Sequence, residues 1–91
     1  MVIIFNSEAT SQFKKSVKRL KKRGISIGKL SDIIKCIKNG TLDPKHKDHA
    51  LKGKFLGLRE CHIEPDWLLV YRFEENLLFL IDTGTHQDIF G

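Results

Sequence analysis

The sequence predicts a small α+β protein, a small antiparallel β-sheet packed against an N-terminal helical hairpin, in the order β-α-α-β-β-β. Three observations carry this. Apolar residues recur at helical spacing in two stretches between positions 9 and 37. Three runs of apolar, β-branched and aromatic residues follow between positions 58 and 83. The connections between those runs are short, as antiparallel neighbours require. With 91 residues, of which 41% are hydrophobic, the chain has material for one core and hence one domain, 1–91.

Val2–Phe5 is β-branched and aromatic and reads as the first strand, with Asn6 or Ser7 placed to cap the helix that follows. Ala9, Phe13, Val17 and Leu20 form that helix's apolar stripe, and Gly24 ends it. Ser26 or Gly28 opens a second helix with a stripe of Leu30, Ile33, Ile34 and Ile37, stopped by Asn39-Gly40. Thr41 to Lys54 has no clean period and reads as a basic loop carrying Pro44, His46 and His49. Leu58–Ile63, Trp67–Phe73 and Leu77–Thr83 are the remaining strands, joined by turns at Glu64-Pro65-Asp66 and Glu74-Glu75-Asn76. In the first of these, Leu58, Glu60 and His62 share one face, and Arg59, Cys61 and Ile63 the other. Thr83-Gly84-Thr85 lacks P-loop spacing and reads as a strand end leading into a docked tail.

No apolar run approaches the ~20 residues of a membrane helix, and no secretory signal pattern follows the apolar start. The expectation is a cytoplasmic protein without membrane association. Cys36 and Cys61 form no C-x-x-C pair and read as reduced, core-type thiols. The net charge of +5 is unevenly spread: residues 1–54 carry 14 of the 16 Lys and Arg against four acids. Seven of those cations, Lys14, Lys15, Lys18, Arg19, Lys21, Lys22 and Arg23, fall within ten positions of the first helix. Only Phe13, Val17 and Leu20 can face the core there, so the cations form a solvent-facing stripe suited to a polyanion such as RNA, DNA or a ribosome. A merely solvated helix face is the alternative.

His49, His62 and His86 sit at edges of the expected sheet. Cleavage of RNA without a metal needs a base for the 2′-hydroxyl, an acid for the departing 5′-oxygen, and positive charge on the phosphorane. Histidines suit the first two tasks near neutral pH. Lys52, Lys54, Arg59 and Arg72 lie near them in sequence and suit the third. His62 and Asp66 flank a tight turn, so they are expected to be neighbours, either as a catalytic pair or only tying the turn. His46 and His49 form H-x-x-H, but with no second ligand pair a zinc site is not expected. Trp67 and Phe90 are aromatics that could stack on an unpaired base. Core packing is the alternative for Trp67, and a peg pinning the tail is the alternative for Phe90.

Asp48-His49-Ala50-Leu51-Lys52-Gly53, then Arg59 through Tyr71, then Thr83-Gly84-Thr85-His86 and Phe90, closely resemble the YafQ branch of the RelE/ParE toxin superfamily. The resemblance covers residues 48–91 in order and spacing, while the first 47 residues match only in layout. It implies a type II toxin–antitoxin toxin that cleaves messenger RNA in the ribosomal decoding site, silenced by a cognate antitoxin and needing no cofactor. It further implies that His49, His62, Asp66 and His86 are the acid–base set and Phe90 the C-terminal aromatic. His62 with Asp66 as base, His86 as acid and His49 at the phosphate is one assignment; exchanging His49 and His86 fits equally well. Two other readings stand beside it: a ParE-like binder that poisons a DNA-manipulating enzyme without chemistry, and a non-catalytic nucleic-acid-binding protein.

Overall fold

The computed structural model describes residues 6–91. Five strands form one sheet: β1 (Asn6–Ala9), β2 (His49–Ala50), β3 (Arg59–Glu64), β4 (Trp67–Glu74) and β5 (Leu77–Gly84). Helices α1 (Ser11–Lys22) and α2 (Gly28–Asn39) precede β2, and a short α3 (His86–Phe90) follows β5. Strand order across the sheet is β1-β5-β4-β3-β2.

β2 to β5 are antiparallel neighbours, as expected, but β1 runs parallel to β5 and makes the sheet mixed. The Val2–Phe5 expectation lies outside the described residues; the strand seen is the segment after it, paired from Asn6↔Leu77 to Ala9↔Leu80. Asn6 and Ser7 are therefore strand residues, not caps. Their weak strand preference is overridden by the open edge of β5. Thr10 caps α1 instead: its hydroxyl accepts from the Phe13 N–H at 3.0 Å and donates to the Ile81 carbonyl at 2.8 Å. One side chain thus starts the helix and fastens it to the sheet. α2 ends where expected, at Gly40, whose φ of 67° is the left-handed geometry glycine adopts at little cost.

Phe13 and Leu20 of α1, Leu30, Ile33 and Ile37 of α2, and Cys61, Ile63, Trp67, Leu69, Tyr71, Leu78 and Leu80 of the sheet form one core. Ser16, which falls outside the α1 stripe, is also fully buried and bonds Asp82 at 2.5 Å. Leu68 and Val70 are buried too, on the alternate positions of β4. Burial on both faces explains why β4 reads as an unbroken apolar run rather than an alternating one. Cys61 has no exposure, and burial pushes its thiol pKa up to about 12, the behaviour of a small core residue and not of a nucleophile. No helix among the described residues is long and apolar enough to cross a membrane.

Candidate active site

β3 projects Cys61 and Ile63 into the core, so Glu60 and His62 face the other way, beside their cross-strand partners Val70 and Leu68. β2 then sets His49 opposite Glu60. Glu60 is only 5% exposed, and its Oε1 lies 3.4 Å from His62 Nε2 and 3.9 Å from His49 Nε2. One buried carboxylate therefore stands between two imidazoles. Its place was written in the i, i+2 alternation with His62, although sequence reasoning took only the histidine.

Asp66 does not pair with His62. It pairs with His86: the His86 Nδ1 and backbone N–H both donate to Asp66 Oδ1, at 2.6 and 2.9 Å. The Pro65-Asp66 turn and the end of β5 lie at the same end of the sheet, and Leu68↔Gly84 pairing brings them together. The backbone N–H of His86, then its ring, hold the Asp66 carboxyl below the usual carboxylate range. Because Nδ1 is committed, Nε2 is the His86 atom left to face a ligand. The His62 and His86 rings are 5.7 Å apart, centroid to centroid.

α3 delivers His86, and a capping box builds α3. Thr85 Oγ1 accepts from the Asp88 N–H, and Asp88 Oδ2 accepts from the Thr85 N–H, both at 3.0 Å. Arg23, at the C-terminal end of α1, grips the same Asp88 with a two-pronged bridge at 2.9 and 3.1 Å. That guanidinium, then the Thr85 N–H, draws the Asp88 carboxyl far below its ordinary pKa. The tail is thus a helix clamped to α1. Arg23 belongs to this clamp, unlike Lys14, Lys15, Lys18, Lys21 and Lys22, which stand exposed along α1.

A second clamp holds the loop that carries His49. Asp48 accepts from the Tyr71 hydroxyl at 2.5 Å and from Arg59 Nε and Nη2, each at 3.2 Å. The His49 Nδ1–H donates to the Lys47 carbonyl at 2.8 Å, which turns Nε2 toward Glu60. Arg59 is consequently tied to Asp48. Arg72 lies at the far end of β4, over the Phe79 ring and beside Glu74. Lys52 and Lys54 are exposed, Lys54 with its Nζ 5.3 Å from the centroid of the Phe55 ring.

The aromatics part company. Trp67 is 7% exposed and its indole N–H donates to Thr83 at 3.0 Å, so it is a core residue with no face to offer a base. Phe90 is 39% exposed, 6.5 Å from the His86 ring, and meets Phe55 edge-on at 5.1 Å. Its ring packs against Phe55 and stays partly exposed.

The H-x-x-H pair does not converge. His46 Nδ1–H donates to the His62 carbonyl at 2.7 Å, while His49 turns to Lys47. Glu60, His62 and His86 do converge, with one ligand atom from each lying within 4.8 Å of the others, so these three could hold a cation. Chemically, the cluster offers two imidazoles with separate carboxylate partners, a third imidazole beside them, and nearby lysines. That is equipment for moving two protons around a phosphodiester.

The family model for YafQ, a bacterial toxin of type II toxin–antitoxin systems, matches residues 5–91. The mRNA interferase toxin YafQ of Escherichia coli K12 is 40% identical over 86 residues, covering 92% of this chain and 94% of that one. The structure is similar to the toxin in the E. coli DinJ–YafQ toxin–antitoxin complex, with TM-score 0.87 and 38% identity, covering 98% of this chain and all of that chain. It is equally similar to a metal-bound toxin from Helicobacter pylori, with TM-score 0.87 and 38% identity over 94% of this chain and 99% of that one.

Proposed function

This chain belongs to the YafQ family of type II toxin–antitoxin toxins, and we propose that it is a metal-independent endoribonuclease that cuts messenger RNA on the ribosome. The convergence of His62 and His86, each beside its own carboxylate, carries the reading. His62, flanked by Glu60, takes the proton from the 2′-hydroxyl. The 2′-oxygen bonds to phosphorus, and the bond to the 5′-oxygen breaks. His86, oriented by Asp66, protonates the departing oxygen through Nε2. His49, Lys52 and Lys54 supply positive charge to the phosphorane. Relative to the sequence-based assignment, Asp66 moves from His62 to His86 and Glu60 takes its place. The exposed α1 lysines dock the protein on ribosomal RNA, and an antitoxin chain neutralises it in the cytoplasm.

The test is to add purified protein to translating ribosomes and map RNA ends. The products should be a 2′,3′-cyclic phosphate (or 3′-phosphate) and a 5′-hydroxyl, at a rate that chelator does not reduce. A cation held by Glu60, His62 and His86 would occupy the lone pairs that proton transfer needs. Activity lost in EDTA and restored by zinc would overturn the mechanism. In the same assay, Lys18, Lys21 and Lys22 changed to Gln should flatten the salt dependence of ribosome binding, because fewer counterions are released.

Phe90, partly exposed beside His86, stacks on a base next to the scissile bond. Removing a stacked ring costs roughly 1–3 kcal/mol of binding, so Phe90→Ala should reduce cleavage and Phe90→Trp should largely keep it. The Phe55 contact predicts some loss of thermal stability for Ala as well. Cleavage rates and melting temperatures for Ala, Leu and Trp separate the two roles: equal activity for Leu and Trp would leave Phe90 as a peg alone.

A further inference from the structure

A cavity of about 550 Å³ opens beside the catalytic cluster and has no part in the chemistry above. It lies between the first half of α2, the turn at Pro44–His46 and the end of β3. His62 belongs both to its wall and to the cluster, so the cavity borders the cluster along β3. The buried Ile33 and Ile63 give it apolar surface. Lys45 and Lys47 are exposed at its rim, and neither side chain has a polar partner among the described residues. Two carboxylates also line it. Glu64 is engaged by Lys29 at 2.5 Å, whereas Asp32 has no partner among the described residues.

We infer that this cavity is a nucleotide subsite: it takes the base next to the scissile phosphate, with Lys45 and Lys47 toward the phosphate and Asp32 accepting from an exocyclic amino group. The inference rests on the ribonuclease reading and deepens it to substrate selection. The volume lies within the range of pockets that enclose small ligands, which are mostly apolar with a few convergent polar groups. Unpaired lysines beside a site for a phosphodiester complement the charge of the next linkage. A carboxylate accepts from an amino group such as the cytosine N4 amine. Uracil carries a carbonyl oxygen there, which a carboxylate repels, so bases bearing an amino group are favoured. A separate ligand would have to find this cavity by diffusion, but the neighbouring nucleotide is brought to it by its covalent bond to the reacting one.

The experiment is a nuclear magnetic resonance titration of the full chain with 5′-AMP, 5′-CMP and 5′-UMP, run beside the ribosome cleavage assay. The methyl signals of Ile33 and Ile63 and the amides of Lys45 and Lys47 should shift and saturate, several-fold more tightly for AMP and CMP than for UMP. Asp32→Asn should erase that preference, and Lys45→Gln with Lys47→Gln should weaken all three nucleotides. Shifts confined to His62, His86 and Phe90, or cavity shifts that arise only with an antitoxin chain, overturn the subsite. A silent cavity with normal cleavage overturns the subsite alone. Nucleotides seated in the cavity without cleavage overturn the ribonuclease reading instead, so the two fail separately.

Discussion

Replacing His86 by alanine should lower the cleavage rate about 10²- to 10⁴-fold, the usual range for one acid–base group, with little change in ribosome binding. His62→Ala should do the same. Both rings sit in the cluster and outside the core: His86 is an exposed residue of a five-residue helix, and His62 faces away from the core. Melting temperatures should therefore change little, and the loss should fall on kcat. Asp66→Asn makes the intermediate case. It keeps an oxygen able to accept from His86 but removes the charge, so its rate should lie between wild type and His86→Ala. Near-normal turnover in either alanine variant would remove that residue from the proton-transfer steps. Growth arrest by the double variant would favour a toxin that acts by binding.

Gly84→Ala should cost about as much activity as losing a catalytic group, although residue 84 touches no substrate. Gly84 has φ of 152°, a conformation that side chains disfavour, and a Cβ there would lie 2.9 Å from Asp88 Cβ and Oδ2. Asp88 has to move. In moving it gives up the Thr85 cap and the Arg23 bridge, the contacts that seat α3. A displacement of about 1 Å at reacting groups costs about 10²-fold in rate, and His86 and Phe90 both ride on that helix. Global stability should fall by only ~1–3 kcal/mol, the usual cost of a strained backbone site. Cleavage and thermal unfolding measured on the same preparation check this. Full activity would mean that α3 adjusts without carrying His86 away.

The two helices, the three long strands and the family were legible because their signals are local: helical stripes, turn residues and contiguous motifs. The mispairing of Asp66 shows where local reading ends. His62 and Asp66 are four positions apart, whereas Asp66 and His86 are 20 apart and meet only because β4 returns along β5. Trp67 failed as a binding aromatic for a similar reason, since its Thr83 partner lies on another strand. The mixed sheet was out of reach because nothing within Asn6–Ala9 says which edge it joins. α3 is different: Thr85-His86-Gln87-Asp88 has the spacing of a capping box, a helix-start signal local to the chain.

The parallel seam between β1 and β5 should be among the last parts of the molecule to assemble. Thr10 to Ile81, Ser16 to Asp82 and Arg23 to Asp88 are contacts across 71, 66 and 65 residues. β3 and β4, in contrast, close over a two-residue turn. Loop-closure entropy disfavours the long contacts until the short ones exist. The β3–β4–β5 meander should therefore form in the folding transition state, and the N-terminal strand should join afterwards. Truncations in the seam, such as Thr10→Ala, should mainly quicken unfolding, while Leu69→Ala should slow refolding. Stopped-flow rates for the two variants would show it, and a seam variant that slowed refolding as much as the meander variant would reverse the order.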